Sequence, residues 1–141
     1  MLKGGCQCGN VRYETDAAPF HETICHCADC RRALGAPTVA WFSVPRASLR
    51  FTNHAPATYQ SSAKVERTFC GLCGTALTYQ TTAYEDEVDV TICSLDEPDL
   101  VPPKDHSYSS GKARWDVVCD GLPAFPRLRQ REPARRTRVI A

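Results

Sequence analysis

Cysteine spacing constrains the fold of this chain more than any other feature of its sequence. Seven of the nine cysteines fall into three tight clusters. Cysteines one or two residues apart are poor disulfide partners, because the loop that such a bond closes restrains almost nothing. They suit a metal ion instead, which holds several thiolates about 2.3 Å from one point. The clusters are Cys6-Gln7-Cys8-Gly9, Cys25-His26-Cys27-Ala28-Asp29-Cys30 and Cys70-Gly71-Leu72-Cys73-Gly74.

The first and third clusters supply two cysteines each and together predict one closed metal site. Two residues separate Cys70 from Cys73, while Cys6 and Cys8 share one side of an extended segment. A glycine follows each pair and lets backbone N–H groups approach the sulfurs. Four thiolates complete a structural zinc site, which contributes about 10–16 kcal/mol in small domains that are unfolded without metal. The alternative is two separate pairs of free or buried thiols.

The middle cluster supplies three cysteines and predicts a metal site with an open position. If Cys25 ends a strand, Cys25 and Cys27 face one side and His26 the other, and Cys30 follows from the first turn of a helix. A zinc held by three thiolates keeps a position for water or substrate. A thiol bound there loses its proton and becomes a nucleophile at neutral pH. His26 is a possible fourth ligand, but the alternation favours a hydrogen-bonding or packing role.

Two arginines, Arg31 and Arg32, follow the middle cluster directly. A guanidinium binds a carboxylate through two parallel hydrogen bonds, so both arginines are candidate binding residues for an anionic thiol substrate. An exposed helix face is the alternative for each. For the three cysteines the alternative is a redox or structural thiol group, with Cys27 and Cys30 oxidised when metal is missing.

The rest of the sequence predicts one mostly-β domain with short helices. Its 141 residues are the size of one ordinary domain. A helix of about two turns is expected over residues 28–34, ended by Gly35 and Pro37. Short apolar or alternating runs predict strands over residues 11–15, 20–25, 38–44, 49–52, 58–61, 65–69, 75–81 and 88–94.

Five residues outside the clusters carry structural expectations. Cys93 and Cys119 are expected in the core, because cysteine is among the residues most often buried. Trp115 and Phe125 are expected to pack and close the fold. For His106, a structural hydrogen bond is favoured over a catalytic role.

Charge is distributed unevenly along the chain. Residues 127–141 carry six arginines against one glutamate, a charge of +5, so residues 1–126 carry −4 of the +1 total. This basic tail is a candidate nucleic-acid contact, with a solvated terminus as the favoured alternative. No apolar run approaches the roughly 20 residues that span a bilayer, and no signal-peptide pattern is visible. We therefore expect a cytoplasmic protein with no membrane partner, a zinc-binding domain over residues 1–126 and a basic tail over 127–141.

Taken together, these motifs resemble the glutathione-dependent formaldehyde-activating enzyme family, which includes centromere protein V-like domains. Beyond the clusters, the resemblance over residues 4–126 includes Ser94-Leu95-Asp96-Glu97-Pro98, His106, Trp115 and Asp120-Gly121-Leu122-Pro123. It implies a β-tent fold of small antiparallel sheets with two zinc ions. The structural zinc would be held by Cys6, Cys8, Cys70 and Cys73, and the catalytic zinc by Cys25, Cys27 and Cys30.

The activity that this resemblance implies is a carbon–sulfur lyase reaction, the reversible condensation of formaldehyde with glutathione to S-(hydroxymethyl)glutathione. Zinc on the middle cluster would bind a small thiol as thiolate, which would attack the aldehyde carbon. Two other hypotheses stay open. One is a non-enzymatic zinc module that binds a protein or nucleic acid through the basic tail, and the other is a thiol or metal sensor built on the middle cluster.

Overall fold

Strands dominate the computed structural model, which describes residues 1–129 and within them contains ten strands and one α-helix. The strands are β1 (Leu2–Gly5), β2 (Arg12–Thr15), β3 (Phe20–Cys25), β4 (Val39–Pro45), β5 (Arg50–Phe51), β6 (Ala57–Ser62), β7 (Val65–Phe69), β8 (Ala76–Thr81), β9 (Glu87–Thr91) and β10 (Asp105–Ser107). The helix is α1 (Ala28–Leu34), and 3₁₀ turns cover Arg46–Ser48, Thr82–Tyr84, Ile92–Ser94, Pro98–Leu100 and Ser109–Gly111. The expected mainly-β class is confirmed.

The strands form two sheets. A three-stranded sheet has the order β1-β2-β5, and a seven-stranded sheet has the order β10-β3-β4-β9-β8-β7-β6. Neighbouring strands are antiparallel except β10, which runs parallel to β3 and makes the larger sheet mixed. Neither β1 nor β10 was predicted, because LKGG and DHS lack the alternation of apolar and polar residues that marks a strand.

Side chains from both sheets meet in the main core. Tyr13 of β2 and Val11 just before that strand pack in one buried cluster with Phe42 of β4 and Leu77 of β8, and none of the four is more than 1% exposed. The Tyr13 hydroxyl reaches Ser94 Oγ at 2.7 Å. Gly4 in β1 leaves the space for that ring, because a Cβ there would overlap the Tyr13 hydroxyl. The core therefore explains why β1 is short and glycine-rich.

Three residues that were predicted to be buried are exposed instead. Strand β9 ends at Thr91, and the 3₁₀ turn that follows buries Ile92 while Cys93 stays exposed. Trp115 is 73% exposed and Cys119 is also exposed, because their segment forms neither strand nor helix that would turn them inward. The predictions of a buried Cys93, Cys119 and Trp115 were wrong, whereas Phe125 is partly buried.

The first residues of the predicted basic tail contact the body of the protein. The backbone N–H of Tyr108 donates to the carbonyl of Arg127 at 3.2 Å. The guanidinium of Arg129 forms an ion pair with the buried carboxylate of Asp105. Residues 130–141, with the other four arginines, lie outside the described part of the chain. Within residues 1–129, no helix has the length and apolarity needed to span a membrane.

We expect Leu77→Ala to lower the free energy of unfolding by about 2–5 kcal/mol, because it opens a cavity in a fully buried position. Leu100→Ala is the matched control, since Leu100 is 60% exposed and its truncation should change stability by no more than about 0.5 kcal/mol. Denaturant unfolding at a fixed zinc concentration measures both. Equal losses in the two variants would contradict this description of the core.

Candidate metal centres

The four cysteines of the first and third clusters meet where the two sheets come together. Cys6 and Cys8 lie in the turn between β1 and β2, and Cys70 and Cys73 lie in the turn between β7 and β8. All four sulfurs are within 4.8 Å of one another. The Sγ atoms of Cys6 and Cys8 are 3.5 Å apart, and those of Cys8 and Cys70 are 3.7 Å apart. A zinc tetrahedron with 2.3 Å bonds needs sulfurs about 3.8 Å apart, so the group fits zinc.

In each of the two turns a backbone N–H faces the first cysteine sulfur and a glycine closes the turn. The Val11 N–H donates to Cys6 Sγ at 3.2 Å, and the Cys73 N–H donates to Cys70 Sγ at 3.5 Å. Gly9 and Gly74 close the turns at φ values of 78° and 80°, in the region that favours glycine. Each N–H stabilises negative charge on the sulfur that it faces, as a metal-bound thiolate requires.

Thr75 links the two turns. Its hydroxyl lies 3.2 Å from Cys73 Sγ and accepts a hydrogen bond from the Gln7 N–H at 3.1 Å. Hydrogen bonds from the Thr75 side chain and backbone lower the pKa of the Cys73 thiol to about 5. These hydrogen bonds favour the thiolate form of Cys73, which metal binding requires.

The three cysteines of the middle cluster meet at the junction of β3 and α1. Cys25 is the last residue of β3, Cys27 caps the helix, and Cys30 lies in its first turn. Their sulfurs are within 4.8 Å of one another, and Cys27 Sγ accepts the Cys30 N–H at 3.3 Å. As predicted, the helix covers residues 28–34 and ends at Gly35, in the left-handed conformation.

Contacts among these three sulfurs shift the pKa values of their thiols in opposite directions. Hydrogen bonds from Cys25 and Cys30 lower the pKa of the Cys27 thiol to about 2, and the contact with Cys27 raises the pKa of Cys25.

The donor atoms of both cysteine groups are sulfurs, which are soft ligands that suit zinc. In residues 1–129 neither group includes a histidine or carboxylate, so three donors remain one short of a zinc tetrahedron. Both groups could hold a metal ion.

The three-cysteine group faces a cleft of about 980 Å³, at the upper end of the usual size for small-molecule sites. Aromatic side chains of Trp41, Tyr79 and Tyr108 line it, with the Trp41 and Tyr79 rings 6.2 Å apart. Of the two arginines singled out from the sequence, the exposed Arg32 lines this cleft. Arg31 is not among the lining residues, and its buried Nε has no hydrogen-bond partner.

Sequence reasoning missed one cation in this cleft, Arg67 of β7. Its side chain is buried, and Nη2 lies 3.9 Å from Cys30 Sγ. The only local signal was an arginine inside a predicted strand. Its partner lies 37 residues away in sequence, so spacing could not reveal the contact.

His26 is buried and begins a chain of hydrogen bonds that ends at the exposed Asp120. His26 Nε2 and His106 Nδ1 are 2.8 Å apart, and His106 Nε2 is 2.7 Å from a carboxylate oxygen of Asp120. Because the carboxylate accepts from His106 Nε2, His106 Nδ1 is left to accept from His26 Nε2. Burial lowers the pKa of His26, so its ring is neutral. Both histidines thus make hydrogen bonds, as expected, while the preference for a structural over a catalytic role of His106 stays a prediction.

Fold and site together describe a mainly-β protein with one four-cysteine and one three-cysteine group, both suited to zinc. The chain belongs to the glutathione-dependent formaldehyde-activating enzyme family, whose profile matches residues 1–111. That match includes all seven clustered cysteines and confirms the resemblance that the sequence motifs suggested.

One solved structure supports the same architecture. The chain is similar to the crystal structure of a Rhodobacter sphaeroides protein, with a TM-score of 0.58 and 26% sequence identity. The similarity covers 67% of this chain and 87% of that one. No curated protein matches the chain.

We expect the purified protein to hold two zinc ions, and the triple variant Cys25→Ser, Cys27→Ser, Cys30→Ser to hold one while keeping its fold. The middle group lies at one strand end, whereas the four-cysteine group joins two turns. Zinc content by elemental analysis and circular dichroism test this.

The matched control is the double variant Cys70→Ser, Cys73→Ser, which removes half of the four-cysteine group. We expect it to lose folded structure, because structural zinc supplies folding free energy in proteins of this kind. Unfolding of the triple variant, with the double variant folded, would reverse the assignment and contradict it.

We expect His106→Ala to lower the free energy of unfolding by about 1–3 kcal/mol, because it leaves buried His26 Nε2 without a partner. His54→Ala is the control, since His54 is exposed and only reaches a carbonyl at 3.1 Å. Denaturant titration at fixed zinc measures both. A His106→Ala variant of normal stability but no activity would favour the catalytic role instead.

Proposed function

We propose that this protein is a zinc-dependent carbon–sulfur lyase that joins a small thiol such as glutathione to a small aldehyde such as formaldehyde. One observation carries the proposal. A group of three cysteines, one donor short of a closed zinc site, lines a cleft large enough for a small molecule. The family to which the chain belongs supplies the names of the thiol and the aldehyde.

In this proposal the two cysteine groups have different tasks. Cys6, Cys8, Cys70 and Cys73 hold a structural zinc, which the direct backbone hydrogen bonds to two of their sulfurs support. Cys25, Cys27 and Cys30, which line the cleft, would hold the catalytic zinc. A zinc ion there supplies the Lewis acidity that lets a thiol bind as thiolate at neutral pH.

The reaction needs no oxidant or reductant. The thiol sulfur forms a bond to the aldehyde carbon, the carbon–oxygen π bond breaks, and the proton of the thiol ends on the aldehyde oxygen. Burial raises the pKa of the Tyr79 and Tyr108 hydroxyls, so both remain protonated and can donate hydrogen bonds within the cleft. With Trp41 they also form apolar walls that limit water around the reacting atoms.

Charged side chains that line the cleft are proposed to bind the parts of the substrate away from its sulfur. Arg32 is the proposed partner for a carboxylate of an anionic thiol, because it is exposed and lines the cleft. Arg31 stays a sequence-based candidate for the same task. We assign the activity to a domain of residues 1–126, to whose cleft the basic tail adds Arg129, paired with Asp105. We propose the cytoplasm as the compartment, where glutathione keeps thiols reduced.

Exchange spectroscopy tests the activity directly. Glutathione and formaldehyde interconvert with their adduct in solution, and we expect the zinc-loaded protein to accelerate this exchange, as measured by nuclear magnetic resonance at equilibrium. The triple serine variant of the middle group, still holding its other zinc, should give only the uncatalysed rate. If the wild-type protein accelerates exchange for no thiol and aldehyde pair, the proposed function is wrong.

A further inference from the structure

Arg67 places a buried positive charge beside the three-cysteine group. Its side chain is 9% exposed, and Nη2 lies 3.9 Å from Cys30 Sγ. Arg67 and Tyr79 are opposite each other on β7 and β8, and this register sets the guanidinium 4.9 Å from the centre of the Tyr79 ring. The cation is thus held on one side by an aromatic face and directed on the other towards sulfur.

A buried guanidinium is costly unless negative charge compensates it. Within residues 1–129, the ion pairs are made by other cations, among them Arg129 with Asp105 in the same cleft. Asp89 also lines the cleft and accepts a hydrogen bond from Ser43 Oγ at 2.6 Å. The direct polar contact of Arg67 is with Cys30 Sγ, so a metal-bound Cys30 thiolate would place negative charge against this cation.

The net charge of a metal ion with its thiolate ligands determines how a nearby cation would affect ligand binding. Three thiolates and one Zn²⁺ carry a net charge of −1, and a fourth thiolate brings the centre to −2. A unit positive charge 3.9 Å from the Cys30 sulfur favours added negative charge on the centre to which that sulfur belongs. It acts much less on the exchange of one neutral ligand for another, since that exchange leaves the charge of the centre unchanged.

We propose that Arg67 is a specificity-determining residue that makes the three-cysteine metal site prefer an anionic thiolate over a neutral fourth ligand. This inference rests on the proposed function, because it assumes a metal ion with one exchangeable position on Cys25, Cys27 and Cys30. A role for Arg67 in packing against Tyr79 alone would stabilise the cleft without discriminating between ligands.

Ligand binding to the fully metal-loaded protein separates the two roles. The probes are 2-mercaptoethanol, which binds as a thiolate with an uncharged stem, and imidazole, which binds as a neutral ligand. Their dissociation constants are measured by calorimetry on the zinc protein, and by visible absorption on the cobalt-substituted protein, at one pH. Metal content is determined first for every variant.

We expect Arg67→Met to weaken 2-mercaptoethanol binding by about tenfold to a hundredfold, because the lost charge lies 3.9 Å from Cys30 Sγ, one of the sulfurs that would hold the metal. Imidazole binding should stay within about twofold of wild type. Arg67→Lys keeps the charge and should restore thiol binding to within about fivefold of wild type. The matched control is Arg46→Met, which removes an exposed arginine outside the cleft and should change neither constant.

Three results would overturn the inference. Unchanged 2-mercaptoethanol binding in Arg67→Met would show that the charge has no influence on the fourth ligand. Equal weakening of both probes would assign Arg67 a structural role. Wild-type protein that binds neither probe would remove the proposed function together with the inference.

A second pair of variants covers the case in which Arg67→Met does not retain metal. Arg67→Gln and Arg67→Lys are then compared in the same assay, and equal thiol affinities in that pair contradict the inference.

Discussion

Four sulfurs meet between two parts of this protein that are far apart along the chain. The turn between β1 and β2 belongs to the three-stranded sheet, and the turn between β7 and β8 belongs to the seven-stranded sheet. Cys6 and Cys8 meet Cys70 and Cys73 between them, with backbone N–H groups already directed at two of the sulfurs. A metal ion at this point would fix both turns at once. The buried core, which draws on both sheets, packs beside it.

The second cysteine group depends on the same strands. β7 and β8, which the turn of Cys70 and Cys73 joins, also carry Arg67 and Tyr79 to the cleft that the three-cysteine group lines. Their cross-strand pairing sets the guanidinium against the ring and near Cys30. The two candidate metal centres are thus linked through one hairpin. In our account, loss of the four-cysteine centre would disturb the cleft as well as the fold.

Local sequence spacing predicted the features that local geometry controls. The three clusters, helix α1 and the end of that helix at Gly35 follow from residues within a few positions of one another. Contacts between distant residues left no such signal, as with His26 and His106, 80 residues apart. The exposure of Cys93 and Trp115 was missed for a different reason. The average tendency of a residue type to be buried does not tell whether a given residue lies inside a strand or beyond its end, as Cys93 does.

The central claim is that one cysteine group is closed and the other keeps a position for a thiol. X-ray absorption at the zinc edge tests it most directly, because it counts sulfur neighbours at about 2.3 Å. For seven cysteines shared by two zinc ions, we predict an average of about three and a half sulfurs per zinc in the protein alone. The average should rise to about four when glutathione is added. Four sulfurs without thiol, or no rise with it, would contradict the account.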